Sequence, residues 1–439
     1  MDIRISVAAV MLAVTGLAQA QNKVIEAQYW MDLSTSAMSI PGMSDDMMES
    51  GMMSQMMGGN TFGTTKGPMG GMGQGKSLDT SLWVRAKPAG IEGTHGIPPE
   101  LRLGPTLPLL PPKVEPRRSE RDVPDEIPER PKGRILFYWG CGETVRPGQP
   151  RMLDFAKADI SEYGRFMTGR HVADRGAKSQ PGRSVWPNEK DRRRVPKDGA
   201  FAGGHTVSGD GVPASFKFAV GERNDFMPKV AMSTRGEPAA SILVSWNAVA
   251  NAQAYFLNAM GARGESEMII WSSSEEPDPG WGLMSYLSPA NIEKFLKERV
   301  ILPPSTQQCA IPKGAFAGVE GGMVNMIAYG PELNLSHPPR PQQLPRADTS
   351  WQPDWTARVR VKSTGMTMLG MGDEADGMRE ERRSTRSSRN RPSRDDMMRQ
   401  EAEREAAQQQ MPQRRNQEEG SGGLGVPDAT NLLRGIFGR

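Results

Sequence analysis

Ten methionines crowd one short stretch of this sequence: Met38, Met43, Met47, Met48, Met52, Met53, Met56, Met57, Met69 and Met72. Thioether sulfur is a soft ligand that selects Cu(I). A transient helix would bring the pairs Met47-Met48, Met52-Met53 and Met56-Met57 to one side, around a single copper ion. The plainer alternative is a Met/Gly linker that contacts greasy partners as adaptable methionine surfaces do. No His or Cys joins the cluster. The four histidines, His95, His171, His205 and His337, stand apart and have no metal-ligand spacing. His171 with Asp174, and His205 within Gly203-Gly204-His205-Thr206, have neighbours that would suit a catalytic base. A lone histidine is nevertheless more often structural. The Gly-x-Ser-x-Gly nucleophile elbow is absent. Gly58-Gly59 and Gly70-Gly71 do not sit between a strand and a helix, as a phosphate loop requires. No catalytic or cofactor fingerprint emerges.

The remaining charged clusters read as solvated. Asp373, Glu374 and Asp376 lack EF-hand spacing and its closing Glu. The arginines 379, 382, 383, 386, 389, 391 and 394 are interleaved with Glu380, Glu381, Asp395 and Asp396, which blunts their field. Over the whole chain 54 Lys+Arg nearly balance 51 Asp+Glu, leaving +3, so net charge argues neither for nucleic acid nor for a membrane surface. The two cysteines, Cys141 and Cys309, are an even count that permits one disulfide in an exported chain. Closing so long a loop would stabilise by roughly 4–5 kcal/mol on the chain-entropy model. Two separately buried thiols are the alternative.

Export itself is read from the first twenty residues. Arg4 precedes an apolar run from Ile5 to Leu17, and Ala18-Gln19-Ala20 offers a small-x-small cleavage site. The mature chain is expected to begin at Gln21 and to work in the periplasm, at the cell surface or as a secreted protein. No later segment is apolar for long enough to span a bilayer, so no membrane crossing is expected after cleavage.

Several elements must position whatever chemistry there is. Hydrophobic residues make up 37%, with 49 Gly and 36 Pro, which points to short strands joined by many turns. Strands are expected at 24–31, 81–87, 134–141, 214–220, 241–246, 253–260, 267–271, 307–311 and 323–329, with a further pair within 355–369. One short helix is expected: Ser288 caps it, Pro289 opens it, and Ile292, Phe295, Leu296 and Val300 share its apolar side. Residues 32–79 read as a mobile Met/Gly insertion. Residues 97–131, with ten prolines, read as an extended connector. Residues 169–204 read as a long loop. Residues 372–426 are charged and polar and are expected to be disordered. At 427–439, Asp428 would cap a short amphipathic helix presenting Leu432, Leu433, Ile436 and Phe437 to a partner groove.

The segments Ile242-Leu243-Val244-Ser245-Trp246-Asn247-Ala248-Val249 and Ala252-Gln253-Ala254-Tyr255-Phe256-Leu257 resemble strands B and C of a fibronectin type III-like β-sandwich. The resemblance spans roughly residues 229–335. It implies that Trp246 points inward and packs near Tyr255, and that the unit serves as a recognition or spacer module.

The expected architecture is therefore all-β, with two β-sandwich-like domains, long loops, one short inserted helix and a disordered charged tail. The first domain would span 21–228 and the second 229–335, with a Pro-rich segment and extra strands over 336–371. The expected function is an exported envelope protein that binds another protein or a polysaccharide, not nucleic acid, and catalyses nothing. Copper handling through the methionine cluster and an uncharacterised carbohydrate-active enzyme are the alternatives.

Overall fold

The computed structural model describes residues 25–39, 74–113, 132–343 and 351–369. Among them are sixteen strands and two α-helices, so the fold is all-β. The chain runs through β1 (Ala27–Ser39), β2 (Gly75–Val84), β3 (Gly93–Gly96), β4 (Thr106–Leu109), β5 (Arg134–Trp139) and β6 (Arg151–Asp154). Helix α1 (Ile160–Phe166) precedes β7 (Arg183–Trp186), β8 (Gly203–Gly209), β9 (Lys217–Val220), β10 (Met232–Arg235), β11 (Ile242–Trp246), β12 (Ala254–Arg263) and β13 (Glu267–Ser272). Helix α2 (Pro289–Lys297) then leads to β14 (Gln308–Ile311), β15 (Glu320–His337) and β16 (Trp355–Met368).

One nine-stranded sheet dominates, in the order β6-β5-β13-β12-β15-β16-β1-β2-β7. A three-stranded sheet, β10-β11-β14, and a four-stranded sheet, β4-β3-β8-β9, accompany it. Alternation in β1 explains the layering. Tyr29, Met31 and Leu33 are fully buried, and share one hydrophobic core with Leu107 of β4, Val207 of β8 and Val244 of β11. Both small sheets thus pack on one face of the large sheet, in a sandwich-like double layer. The opposite face carries the intervening residues. There Phe256 and Ile327 pack against Ile292 and Phe295 of α2, and Phe137 and Ile270 pack against Phe166 of α1.

The large sheet draws strands from both sides of the expected boundary at 229. Parallel pairing joins β1 to β16 and β5 to β13. Partners this distant in sequence leave no local signal.

Several local expectations are corrected. The expected insertion over 32–79 is strand at both flanks: β1 continues to Ser39 and β2 begins at Gly75. Their small polar residues suit the sheet because hydroxyls pair across it, as where Thr364 donates to Ser36 Oγ at 3.0 Å. Within the expected connector, Thr106–Leu109 forms β4. Pro108 is tolerated because β4 is an edge strand, whose outer side needs no ladder donor. The expected loop over 169–204 contains β7, which pairs with β2. Residues 355–368 form one strand, not a pair. Helix α2 matches its sequence signals, with Ser288 Oγ accepting from the Asn291 amide. No helix among the described residues is long and apolar enough to cross a membrane.

Cys141, just after β5, and Cys309, on β14, are joined by a disulfide that ties the large sheet to the three-stranded one. Trp246 and Tyr255 are both buried and meet edge to face at 5.7 Å, across the layer between β11 and β12.

Candidate functional site

The outer face of the large sheet, away from the sandwich core, holds charge in unusual density. The run Arg358-Val359-Arg360-Val361-Lys362 on β16 sends its valines into the core and its three cations to this face. Parallel pairing sets Arg358 beside Trp30, Arg360 beside Asp32 and Lys362 beside Ser34 on β1. Antiparallel pairing sets Asp79 of β2 on the other side of Asp32.

At one end this face is closed. Asp32 accepts two hydrogen bonds from Arg360, both at 2.7 Å, and a third at 3.0 Å from the Ala177 amide. Asp174 takes a longer bond from the same guanidinium at 3.3 Å. Burial works against the Arg360 charge, but Asp32 outweighs it and holds the group above its ordinary value. The segment 174–178 lies directly on this pair: a side chain at Gly176 would collide with the Arg360 guanidinium and Asp32. Tyr286 packs beneath Arg360 and Lys362, its ring 4.4 and 4.8 Å from their charged groups, while its hydroxyl donates to the Leu33 carbonyl.

Toward the other end the face is half open. Trp30, Gln28, Trp83, Thr356 and Arg358 are partly exposed. Two guanidiniums stack on Trp30: Arg183 of β7 at 4.1 Å and Arg358 at 4.7 Å from the ring centroid. Arg183 reaches this ring across β2 from the sheet edge. Its Nε and Nη1 are buried and have no hydrogen-bond partner among the described residues. The Nε of Arg358 is likewise buried and unpartnered, while its Nη2 donates to the Arg175 carbonyl. Burial, then the like charge of Arg358, pulls Arg183 below its ordinary value. Arg358 is lowered chiefly by burial as well. Stacking on a ring contributes about 0.5–2 kcal/mol. Each buried unpaired donor costs about 1–3 kcal/mol, and more when charged. The arrangement therefore leaves buried donor capacity unmet on this face, with the Glu332 carboxylate acting on Arg358 from β15.

A second polar cluster lies inside the sandwich. His205 Nε2 meets the Phe201 carbonyl at 2.9 Å, so that nitrogen carries the proton. Neutral His205 then accepts at Nδ1 from His95 Nε2 at 3.0 Å, and His95 Nδ1 accepts from the Tyr29 hydroxyl at 2.8 Å. The tautomers follow from this one-way chain. Burial, reinforced by the neighbouring His205, holds His95 far below its ordinary value. Burial also lowers His205 to about 4, against the opposing pull of the Phe201 carbonyl and Asp225. Both rings are buried, so neither can meet a substrate. A shallow cleft of about 570 Å³ lies nearby, lined by Thr94, Thr106, Pro108 and 190–193. There Arg193 is committed to Asp191 and the Leu103 carbonyl, and holds the Asp191 carboxyl down near 2.

Of the residues singled out from sequence, Met47, Met48, Met52, Met53, Met56 and Met57 lie outside the described residues, as do Leu432, Leu433, Ile436 and Phe437 and the segments 1–20 and 372–439. His205 joins the buried chain, and Asp174 joins the Arg360 cluster. Sequence reading missed Trp30, Arg183 and Arg358. The alternation of cations with valine over 358–362 is the signal that a strand there carries charge on one face. Nothing local ties it to Trp30. Comparison with models of protein families, with curated proteins and with solved structures found no match to this chain.

Proposed function

We propose that this chain is an exported binding protein of the cell envelope that holds its partner on the half-open end of the large sheet's outer face. The carrying observation is the pair of guanidiniums stacked on Trp30 with donors left unpaired. The partly exposed Trp83, Gln28 and Thr356 extend this surface along three adjacent strands. Stacking surface beside polar groups serves recognition and requires no reacting residue. The signal-like first twenty residues and the disulfide both favour a compartment outside the cytoplasm. Partly exposed indole beside hydrogen-bonding side chains suits the stacking faces and hydroxyls of an envelope polysaccharide. The test is co-sedimentation of the full mature protein with purified envelope polysaccharide. Wild type is expected in the pellet, and Trp30→Ala and Trp83→Ala are expected to be retained at least about tenfold more weakly. Absence of wild-type retention by every fraction overturns the reading.

A further inference from the structure

We propose that the far end of the same outer face binds a soft monovalent cation, Cu(I), through the thioethers of Met260, Met323 and Met368. This site stands apart from Trp30, which lies toward the opposite end of β1, and it goes beyond the polysaccharide reading. Three observations carry it.

First, register lines the sulfurs up. Antiparallel pairing sets Met368 of β16 opposite Met323 of β15, and Met323 opposite Met260 of β12. All three are half-buried. Their neighbours along each strand, Leu369, Val324 and Ala259, belong to the sandwich core, so alternation turns the methionines to the outer face. Adjacent strands lie about 4.8 Å apart. The unbranched methionine side chain has three rotatable bonds, enough to close three sulfurs around one ion from such positions. In the next row Met38 of β1 stands opposite Met366 of β16, and both are half-buried as well. Secondly, the residue type is specific. An apolar strand face needs no sulfur: on the inner side of β15 and β16, Val324, Val359 and Val361 serve, and branched residues suit strands better. Thioether in their place adds a soft lone pair, which selects Cu(I) over hard cations. The chain repeats this chemistry next to the site, with nine further methionines within residues 40–74, between β1 and β2. Thirdly, the polar groups beside the thioethers favour a cation. Asn325 pairs with Met366 on one side and with Asn258 on the other. The side-chain oxygens of Asn258 and Asn325 have no hydrogen-bond partner among the described residues, and the two residues are only 5% and 3% exposed. The negative ends of these amide dipoles draw positive charge and repel an anion. From β16 to β12 the two rows hold only methionine and asparagine, so no carboxylate in them would hold a hard, strongly hydrated ion instead.

The experiment titrates the full mature chain with Cu(I), kept reduced by ascorbate, against bathocuproine disulfonate as competitor. A second titration uses Ag(I), which needs no reductant. Met323→Leu removes the central sulfur while keeping volume and apolarity. Met152→Leu, at an exposed methionine on β6, is the control. Expected are uptake of both ions by wild type, affinity at least about tenfold weaker in Met323→Leu, and no change in Met152→Leu. A chain with Met47, Met48, Met52, Met53, Met56 and Met57 replaced by Leu is expected to keep Cu(I), which separates the face from the neighbouring stretch. Binding of envelope polysaccharide is expected to be unchanged in Met323→Leu. Should Met323→Leu unfold, NMR of methyl-labelled methionines in wild type decides: Ag(I) is expected to shift the methyl signals of Met260, Met323 and Met368 and to leave that of Met152 in place. Absence of Cu(I) and Ag(I) uptake by wild type overturns the proposal and leaves the methionines as an adaptable apolar surface. So does unchanged affinity in a folded Met323→Leu, or loss of Cu(I) confined to the chain with the stretch replaced.

Discussion

Acidification from pH 7 to pH 4 should unfold this protein partly through His205. In the folded chain burial lowers this imidazole from 6.5 to about 4, while in the unfolded chain it titrates near its ordinary value. The unfolded state therefore binds the proton first. The contribution of neutral His205 is complete above pH 6.5 and is lost as pH falls from there to about 4. A gap of about 2.5 pKa units corresponds to about 3 kcal/mol at 1.36 kcal/mol per unit. The ring is only 1% exposed, so solvent screening removes little of this. His95, shifted in the same direction, adds to the loss. The carboxyl of Asp191, held near 2 in the folded chain, stays charged there throughout this window and adds to the slope only toward pH 4, where the unfolded form begins to take up its proton. Urea unfolding at constant ionic strength, at half-unit steps between pH 7.5 and 4, reads the effect. His205→Gln keeps an amide donor for Phe201 and an acceptor for His95, and is expected to show a shallower decline. A wild-type stability that is flat over this window, or an unchanged slope in His205→Gln, would refute the buried neutral chain.

Trp246→Ala should cost about 3–5 kcal/mol in chemical denaturation, as for a large core aromatic; an unchanged midpoint would remove Trp246 from the core. Reducing the Cys141–Cys309 bond, or replacing both residues by Ser, should lower the melting temperature, since the cross-link closes a separation of 168 residues and is worth about 5 kcal/mol on the chain-entropy model. Melting curves indistinguishable with and without reductant would contradict that. If the methionine stretch binds Cu(I), replacing Met47, Met48, Met52, Met53, Met56 and Met57 by Leu should abolish uptake, and equal uptake by the variant would assign the stretch to a linker. A chain ending at Gly420 should keep its melting temperature yet lose partners that dock Leu432, Leu433, Ile436 and Phe437; retention of all partners in pull-downs would sink the docking role.

Elements fixed by neighbouring residues were legible in the sequence. Ser288 and Pro289 announce α2 because cap and first turn lie within one span. The β11 run Ile242–Trp246 is rich in β-forming residues, and in the sheet it alternates buried with half-buried positions. Legibility ended where stability comes from distant partners. Ser34, Thr35 and Ser36 look like linker residues, yet they sit in a strand bonded on both sides, to β2 and β16. The candidate site is the extreme case. Trp30 and Arg358 are adjacent only through a parallel pairing between the two ends of the described chain, and Arg183 arrives from the far edge of the same sheet. Composition shows that arginine and tryptophan are present, but only topology brings them together.

Register makes the fold and the site one constraint. Because side chains alternate along a strand, sliding β16 by one residue against β1 would turn Arg358, Arg360 and Lys362 into the sandwich core and Val359 and Val361 outward. Three buried cations opposite Met31 and Leu33 would be far costlier than the valines they replaced. The Asp32–Arg360 pair fixes the same register from the outer face, since a bidentate bond tolerates no such slip. That closed pair is then the anchor and the open pair the working end. Arg360 is satisfied and covered, so losing it leaves Asp32 buried without its cation and loosens the strand pair. Arg183 is buried and Arg358 half-buried, and each keeps unsatisfied donors, so neutralising them should weaken ligand binding while removing a like-charge repulsion from the free protein. Loss of binding together with unchanged or higher stability in Arg183→Gln would separate a binding residue from a structural one, because a purely structural arginine loses stability when it is neutralised.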